Sequence, residues 1–163
     1  MAAPEFEIFW SDLTGSDMLA LGLFLAVAAA PYVVAWKQET SIALATVLSL
    51  LLVTFYQMII DFGLFDFTPM AFLTLIPAIA DHPDQVHRFF TSAWLHANWI
   101  HVLGNILVIA LAGVPLEQRM GRSRWIVIYF VGLLGGNISW VLTHPESYSP
   151  ALGASGAAFG ILG

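Results

Sequence analysis

The chain has 163 residues, 59% of them hydrophobic and 10% charged, with a mean hydropathy of +0.82. Soluble domains are about half apolar and a quarter charged, so this composition excludes an ordinary soluble domain, and five Lys and Arg against eleven Asp and Glu exclude a nucleic-acid partner. Cysteine is absent, which removes disulfides and thiol chemistry. The formal charge of −6 says little by itself, because in a membrane protein the placement of the basic residues carries the information.

In chain order, a leader with Glu5, Glu7, Asp12 and Asp17 has no basic residue before Lys37, unlike a secretory signal. The apolar run at residues 18–36 is therefore expected to remain as a span. Further runs follow at 41–60, 100–116 and 125–142, each roughly the 17–25 residues that a helical crossing needs. A shorter run begins at Gly153 and stops at Gly163. Helices satisfy backbone polar groups within hydrocarbon, and runs this long are not the short alternating strands of a barrel. The expected fold class is all-α, a polytopic membrane helical bundle.

The segment 61–95 needs a separate reading. Phe62, Leu64, Phe65, Phe67, Met70, Phe72, Leu73, Leu75 and Ile76 make it apolar, while Pro69, Pro77 and Pro83 interrupt it. Pro69 and Pro77 bracket a stretch too short to span, so the segment is expected to lie half-immersed at the headgroups.

Orientation follows from the basic residues. Lys37 follows the first run, and Arg119, Arg122 and Arg124 lie between the third and fourth, so these turns are expected to be cytoplasmic. The amino terminus, segment 61–95 and loop 143–152 then face the extracytoplasmic side. Trp36 and Trp125 fall at inner ends, and Trp10, Trp94, Trp99 and Trp140 near outer ends, as an interfacial belt predicts. Every histidine, and Ser155, falls on the outer side.

Polar residues interrupt the third run. At about 100° per residue, Asn105 lies roughly 40° from His101 on one helical face, and His96 about 140° away. The His96/His101 pair is poorly spaced for a metal on a helix, and no metal or other cofactor is expected. Polar side chains also join membrane helices, yet ionisable residues inside spans are functional candidates by default. Around Ser155, Gly153, Gly156, Gly160 and Gly163 form a small-residue stripe suited to close helix packing. Ser155 itself opens the helix, where unpaired N–H groups gather and an oxyanion is favoured.

The run His87-Arg88-Phe89-Phe90-Thr91-Ser92-Ala93-Trp94-Leu95-His96, then His101 and Asn105, then Glu117, Arg119 and Gly121, then Gly153-Ala154-Ser155-Gly156 resembles the rhomboid family of intramembrane serine proteases in order and spacing. The resemblance runs from about Ser41 to Gly163. It implies a partial rhomboid core over residues 41–163, preceded in residues 1–40 by one extra amino-terminal transmembrane helix. It also implies that Ser155 is the nucleophile and that His101 and Asn105 stabilise the oxyanion. His96, Arg88, Gly153 and Gly156 would support the cavity or its loop. Arg88 matches the arginine of the family's outer-loop Trp-Arg pair, with His87 standing where the tryptophan would be. Glu117 and Arg119 match a structural feature at the cytoplasmic end of a helix.

The family's general base is a histidine on a later helix, so the resemblance places it beyond this chain, and the glycine stripe is expected to face that later helix. A serine without a base is a poor nucleophile at neutral pH, so the chain alone is expected to be inactive. The implied partners are transmembrane-helix substrates and the lipid bilayer. The alternative is a catalytically inactive rhomboid-like protein that binds transmembrane helices.

Overall fold

The structure, a computed structural model, describes residues 8–60 and 69–163. Glu5, Glu7, Phe62, Leu64, Phe65 and Phe67, which entered the expectations above, lie outside the described residues. Among the described residues, four helices are long and apolar enough to cross a membrane: α1 (Gly15–Lys37), α2 (Ile42–Ile59), α3 (Trp99–Met120) and α4 (Arg122–Thr143). A fifth, α5 (Ser155–Leu162), begins at the expected serine. The chain is an all-α polytopic bundle of an integral membrane protein.

Local chemistry sets the helix ends. Thr14 and Asp17 form a reciprocal capping box at the start of α1, with Thr14 N donating to Asp17 Oδ2 at 2.7 Å. The start of α2 is capped from another helix. Glu117, 6% exposed near the end of α3, accepts from Ile42 N at 2.8 Å and Ala43 N at 2.9 Å, and from the Ser41 hydroxyl at 2.5 Å. A carboxylate at a helix amino terminus satisfies donors that have no partner within the helix and complements the dipole. Pro115 interrupts α3 from within: it has no N–H for the Leu111 carbonyl, and the helix widens into a π turn over Ile109–Gly113.

Two kinds of packing hold the spans. Between α1 and α2, the Ser49 hydroxyl donates to Ala28 O and the Tyr56 hydroxyl to Ala20 O, each at 2.7 Å, across small residues that bring the backbones within reach. Between α4 and α5, glycine meets glycine. A Cβ at Gly132 would lie 2.8 Å from Gly156 O and 2.9 Å from Gly160 Cα, and one at Gly160 would lie 2.8 Å from Gly132 Cα. The stripe expected to face a helix beyond the chain thus has its partner within it. Gly132 and Gly136 repeat the four-residue spacing of Gly156 and Gly160.

In the segment between α2 and α3, Ala71, Phe72, Leu73, Leu75 and Ile76 are buried in the protein, while Val86 and Phe90 are exposed. Arg88, 0% exposed, organises it by donating to Ala71 O at 2.9 Å, Thr74 O at 2.8 Å and Ile8 O at 3.1 Å, and to Gln85 Oε1. Burial pushes its guanidinium down to about 10, so it stays charged at neutral pH. The neighbouring His87 stacks on Phe72 at 4.7 Å and meets the Trp10 ring at 5.2 Å, so an imidazole fills the aromatic place beside the arginine. Leu75 and Ala151 exchange backbone hydrogen bonds of 3.0 and 2.8 Å, tying this segment to the approach to α5. Trp94, the last residue of a short 3-10 turn over Ser92–Trp94, reaches into the bundle, its Nε1 donating at 2.9 Å to Ser49 Oγ near the middle of α2.

Replacing Glu117 with Ala should strand buried amides at the start of α2 and cost about 2–3 kcal/mol. Arg122→Ala should cost under about 1 kcal/mol, since its ion pair with Glu117 is 4.0 Å long and Arg122 is partly exposed. Equilibrium unfolding in detergent compares the two. By the same measurement Gly160→Val should lose about 3 kcal/mol through overpacking, while Gly135→Ala, with open space around the added methyl, should gain up to about 1 kcal/mol.

Candidate active site

The site is built where α3 and α5 begin. Asn98 caps α3, its Oδ1 accepting from His101 N at 2.9 Å. This holds the first turn and sets His101 and Asn105 one turn apart on the side facing α5. Asn105 is 6% exposed and His101 is half-buried.

The approach to α5 is a tight turn. Gly153 has φ +106°, a conformation that side chains disfavour, and its N–H donates to Ser92 O at 2.8 Å. Space imposes the same choice: a Cβ there would lie 2.7 Å from His101 Cε1 and Nε2 and 3.5 Å from Asn105 Nδ2. Both side chains therefore converge on the bare α-carbon two residues before Ser155. Ser155 is the first residue of α5, half-buried, and its hydroxyl has no hydrogen-bond partner among the described residues. It lines a cavity of about 600 Å³ together with His101, Gly153, Gly156 and Trp140, and one of about 340 Å³ together with His101 and Asn105. The backbone N–H groups at the start of α5 point out of the helix. The arrangement places a hydroxyl, an imidazole, a carboxamide and helix-end amides around shared space.

His96 departs from its expected place. The helical-wheel angle of about 140° assumed a residue on the helix, but α3 starts at Trp99 and His96 lies in the turn before it. There it is 4% exposed and its Nε2 is 2.9 Å from Asn105 Nδ2. Burial, with the His101 ring 5.0 Å away, pushes its imidazole down to about 4. Of the other histidines, His87 is engaged by Phe72 O and Asp84 O, His82 is exposed, and His144 stacks at 3.9 Å on Trp140, which lines the larger cavity. Arg88 supports the loop at a distance through the contacts already described. Sequence reasoning passed over Asn137, which lines the larger cavity and donates to Phe89 O at 2.8 Å and Ser92 Oγ at 3.2 Å. Its signal was visible as a polar residue within an apolar run.

The family model for the Rhomboid domain matches residues 83–163. The chain is 42% identical over 82 residues to RHOMBOID-like protein 1 of Arabidopsis thaliana, a match covering 50% of this chain and 21% of that protein. It is 44% identical over 82 residues to RHOMBOID-like protein 7 of the same plant, covering 50% and 26%. It is 37% identical over 79 residues to Rhomboid-like protease 3 of Toxoplasma gondii, covering 48% and 29%. The chain thus spans less than a third of the length of these relatives. No solved structure matches it. A domain match over the half of the chain that carries α3, α4, α5 and the converging side chains, together with these relatives, places the chain in the rhomboid family.

Proposed function

We propose that the complete protein is an intramembrane serine endopeptidase that cleaves transmembrane segments by acyl transfer. The observation that carries this reading is the convergence of His101 and Asn105 on the turn that delivers Ser155. Ser155 Oγ attacks the scissile carbonyl carbon, a histidine from outside residues 1–163 takes its proton, and the tetrahedral oxyanion forms. That histidine then protonates the leaving amine as the C–N bond breaks, and water hydrolyses the acyl-enzyme by the same steps. The Ser155 N–H, His101 and Asn105 hold the oxyanion. Residues 41–163 contribute the rhomboid core and α1 an added helix. The amino terminus, the segment before α3 and Ser155 face the extracytoplasmic side, in keeping with the basic residues gathered at the opposite end.

A substrate helix must expose its peptide bond before attack, and unpaired backbone groups in lipid cost several kcal/mol each unless protein or water accepts them. Substrates are therefore transmembrane segments with locally weak helices. The cavity of about 600 Å³ at Ser155 supplies room for an unwound stretch and for water.

Ser155→Ala in the complete protein should abolish cleavage of a synthetic transmembrane substrate in proteoliposomes; undiminished cleavage would overturn the nucleophile assignment. Asn105→Ala should lower kcat by about 10²–10³-fold, the loss typical for one oxyanion donor. A fluorophosphonate should label wild-type protein and not Ser155→Ala. Failure to label the wild type would favour a rhomboid-like protein that binds transmembrane helices without cutting them.

A further inference from the structure

We propose that His96 is a positioning residue which, as a neutral imidazole protonated on Nδ1, fixes the Asn105 amide so that its nitrogen faces the oxyanion. This rests on the proteolytic reading of Ser155 given above. The hydrogen bonds determine the tautomer. His96 Nδ1 lies 3.2 Å from Trp94 O, and a carbonyl can only accept, so Nδ1 carries the proton. Nε2 is then a lone-pair acceptor, and the group facing it at 2.9 Å is the Asn105 amide nitrogen, which donates one of its two hydrogens. The second N–H of Asn105 has no acceptor among the described residues, and its nitrogen lies 3.5 Å from where a Cβ on Gly153 would sit. Ala154 N lies 3.5 Å from the same Nε2, so this ring also reaches the residue preceding Ser155. Gln57 Oε1, 3.3 Å from His96 N, holds the turn from α2.

Protonation reverses the pattern. With a proton on Nε2, His96 offers a donor where Asn105 also offers a donor, and the amide has to turn its oxygen toward the ring. Its nitrogen then leaves the oxyanion, and a carbonyl oxygen of like polarity takes its place. Among the described residues His101 is the titratable group facing this ring; Trp94, Asn105, Ala154 and Gln57 are neutral. Burial, then His101, holds the imidazole down to about 4, so the acceptor form prevails through neutral pH and is lost only in acid.

The first test needs no activity. ¹⁵N NMR of histidine-labelled protein in detergent at pH 7, with His96 assigned through His96→Gln, should show Nε2 unprotonated, and Asn105→Ala should shift that resonance. A protonated Nε2, or a resonance indifferent to Asn105→Ala, overturns the proposal whatever the protein does to peptides. The second test uses the complete protein in proteoliposomes, with rates normalised to the fraction labelled by fluorophosphonate. His96→Ala should lower kcat roughly 10- to 100-fold with KM little changed, and His96→Gln, which retains an acceptor, should restore part of it. The acid limb of the wild-type kcat profile, with a midpoint near 4, should be absent in His96→Gln. A loss confined to the labelled fraction, with normal turnover per labelled site and an unchanged acid limb, would show a merely structural role and overturn the proposal. Absence of labelling in the wild type would instead refute the reading of Ser155 and leave the NMR result to decide the hydrogen bond.

Discussion

The contact on which the arrangement depends is the approach of α4 and α5 to backbone distance. Side chains normally hold helices 8–10 Å apart; here the space that a Cβ on Gly132 would need is occupied by Gly156 O and Gly160 Cα. In hydrocarbon there is little hydrophobic drive to bring helices together, so close packing of small residues has to supply it. The consequence is positional. With Gly156 pressed against α4, the first residue of α5 is held facing the beginning of α3, and Ser155 shares a cavity with His101 and Asn105.

The same turn is constrained from two other directions. Gly153 N is bonded to Ser92 O and Ala151 is paired with Leu75, so the segment between α2 and α3 and the approach to α5 fix each other. Among its described residues that segment is held by Arg88, whose guanidinium donates to the carbonyls of Ala71, Thr74 and Ile8. An arginine suits this work because its planar donors fan out to several acceptors and it remains charged despite burial. The His87 ring closes the cluster by stacking on Phe72 at 4.7 Å.

Polarity is distributed unevenly along the bundle, and the division has a physical use. Glu117 spends its carboxylate on the start of α2, far along α3 from His101 and Asn105, and stabilises the fold. At the other end, polar side chains meet one another and a cavity. His96 is the link between the two kinds of role: its ring bonds a backbone carbonyl on one side and Asn105 on the other.

Much of this was legible in the residue order. Four long apolar runs determine spanning helices because hydrocarbon leaves backbone groups no partner other than the helix itself. The four-residue step from His101 to Asn105 puts both on one face by helical geometry alone, and Ser155 followed by an apolar run reads as a helix start. What the order could not decide was everything that depends on which surfaces meet. The glycine stripe announced a close neighbour but not its identity, and only the tertiary structure assigns it to α4. The wheel set His96 about 140° from His101 because it treated as helical a residue that precedes the helix start at Trp99. The apolar character of residues 71–76 was plain, but an apolar side chain is equally satisfied by lipid and by protein, and burial against protein was settled by Arg88 and its distant carbonyl partners. Local periodicity therefore determined the spans and the faces of single helices, while the meeting of Ser155, His101 and Asn105 was decided by contacts between residues far apart in sequence.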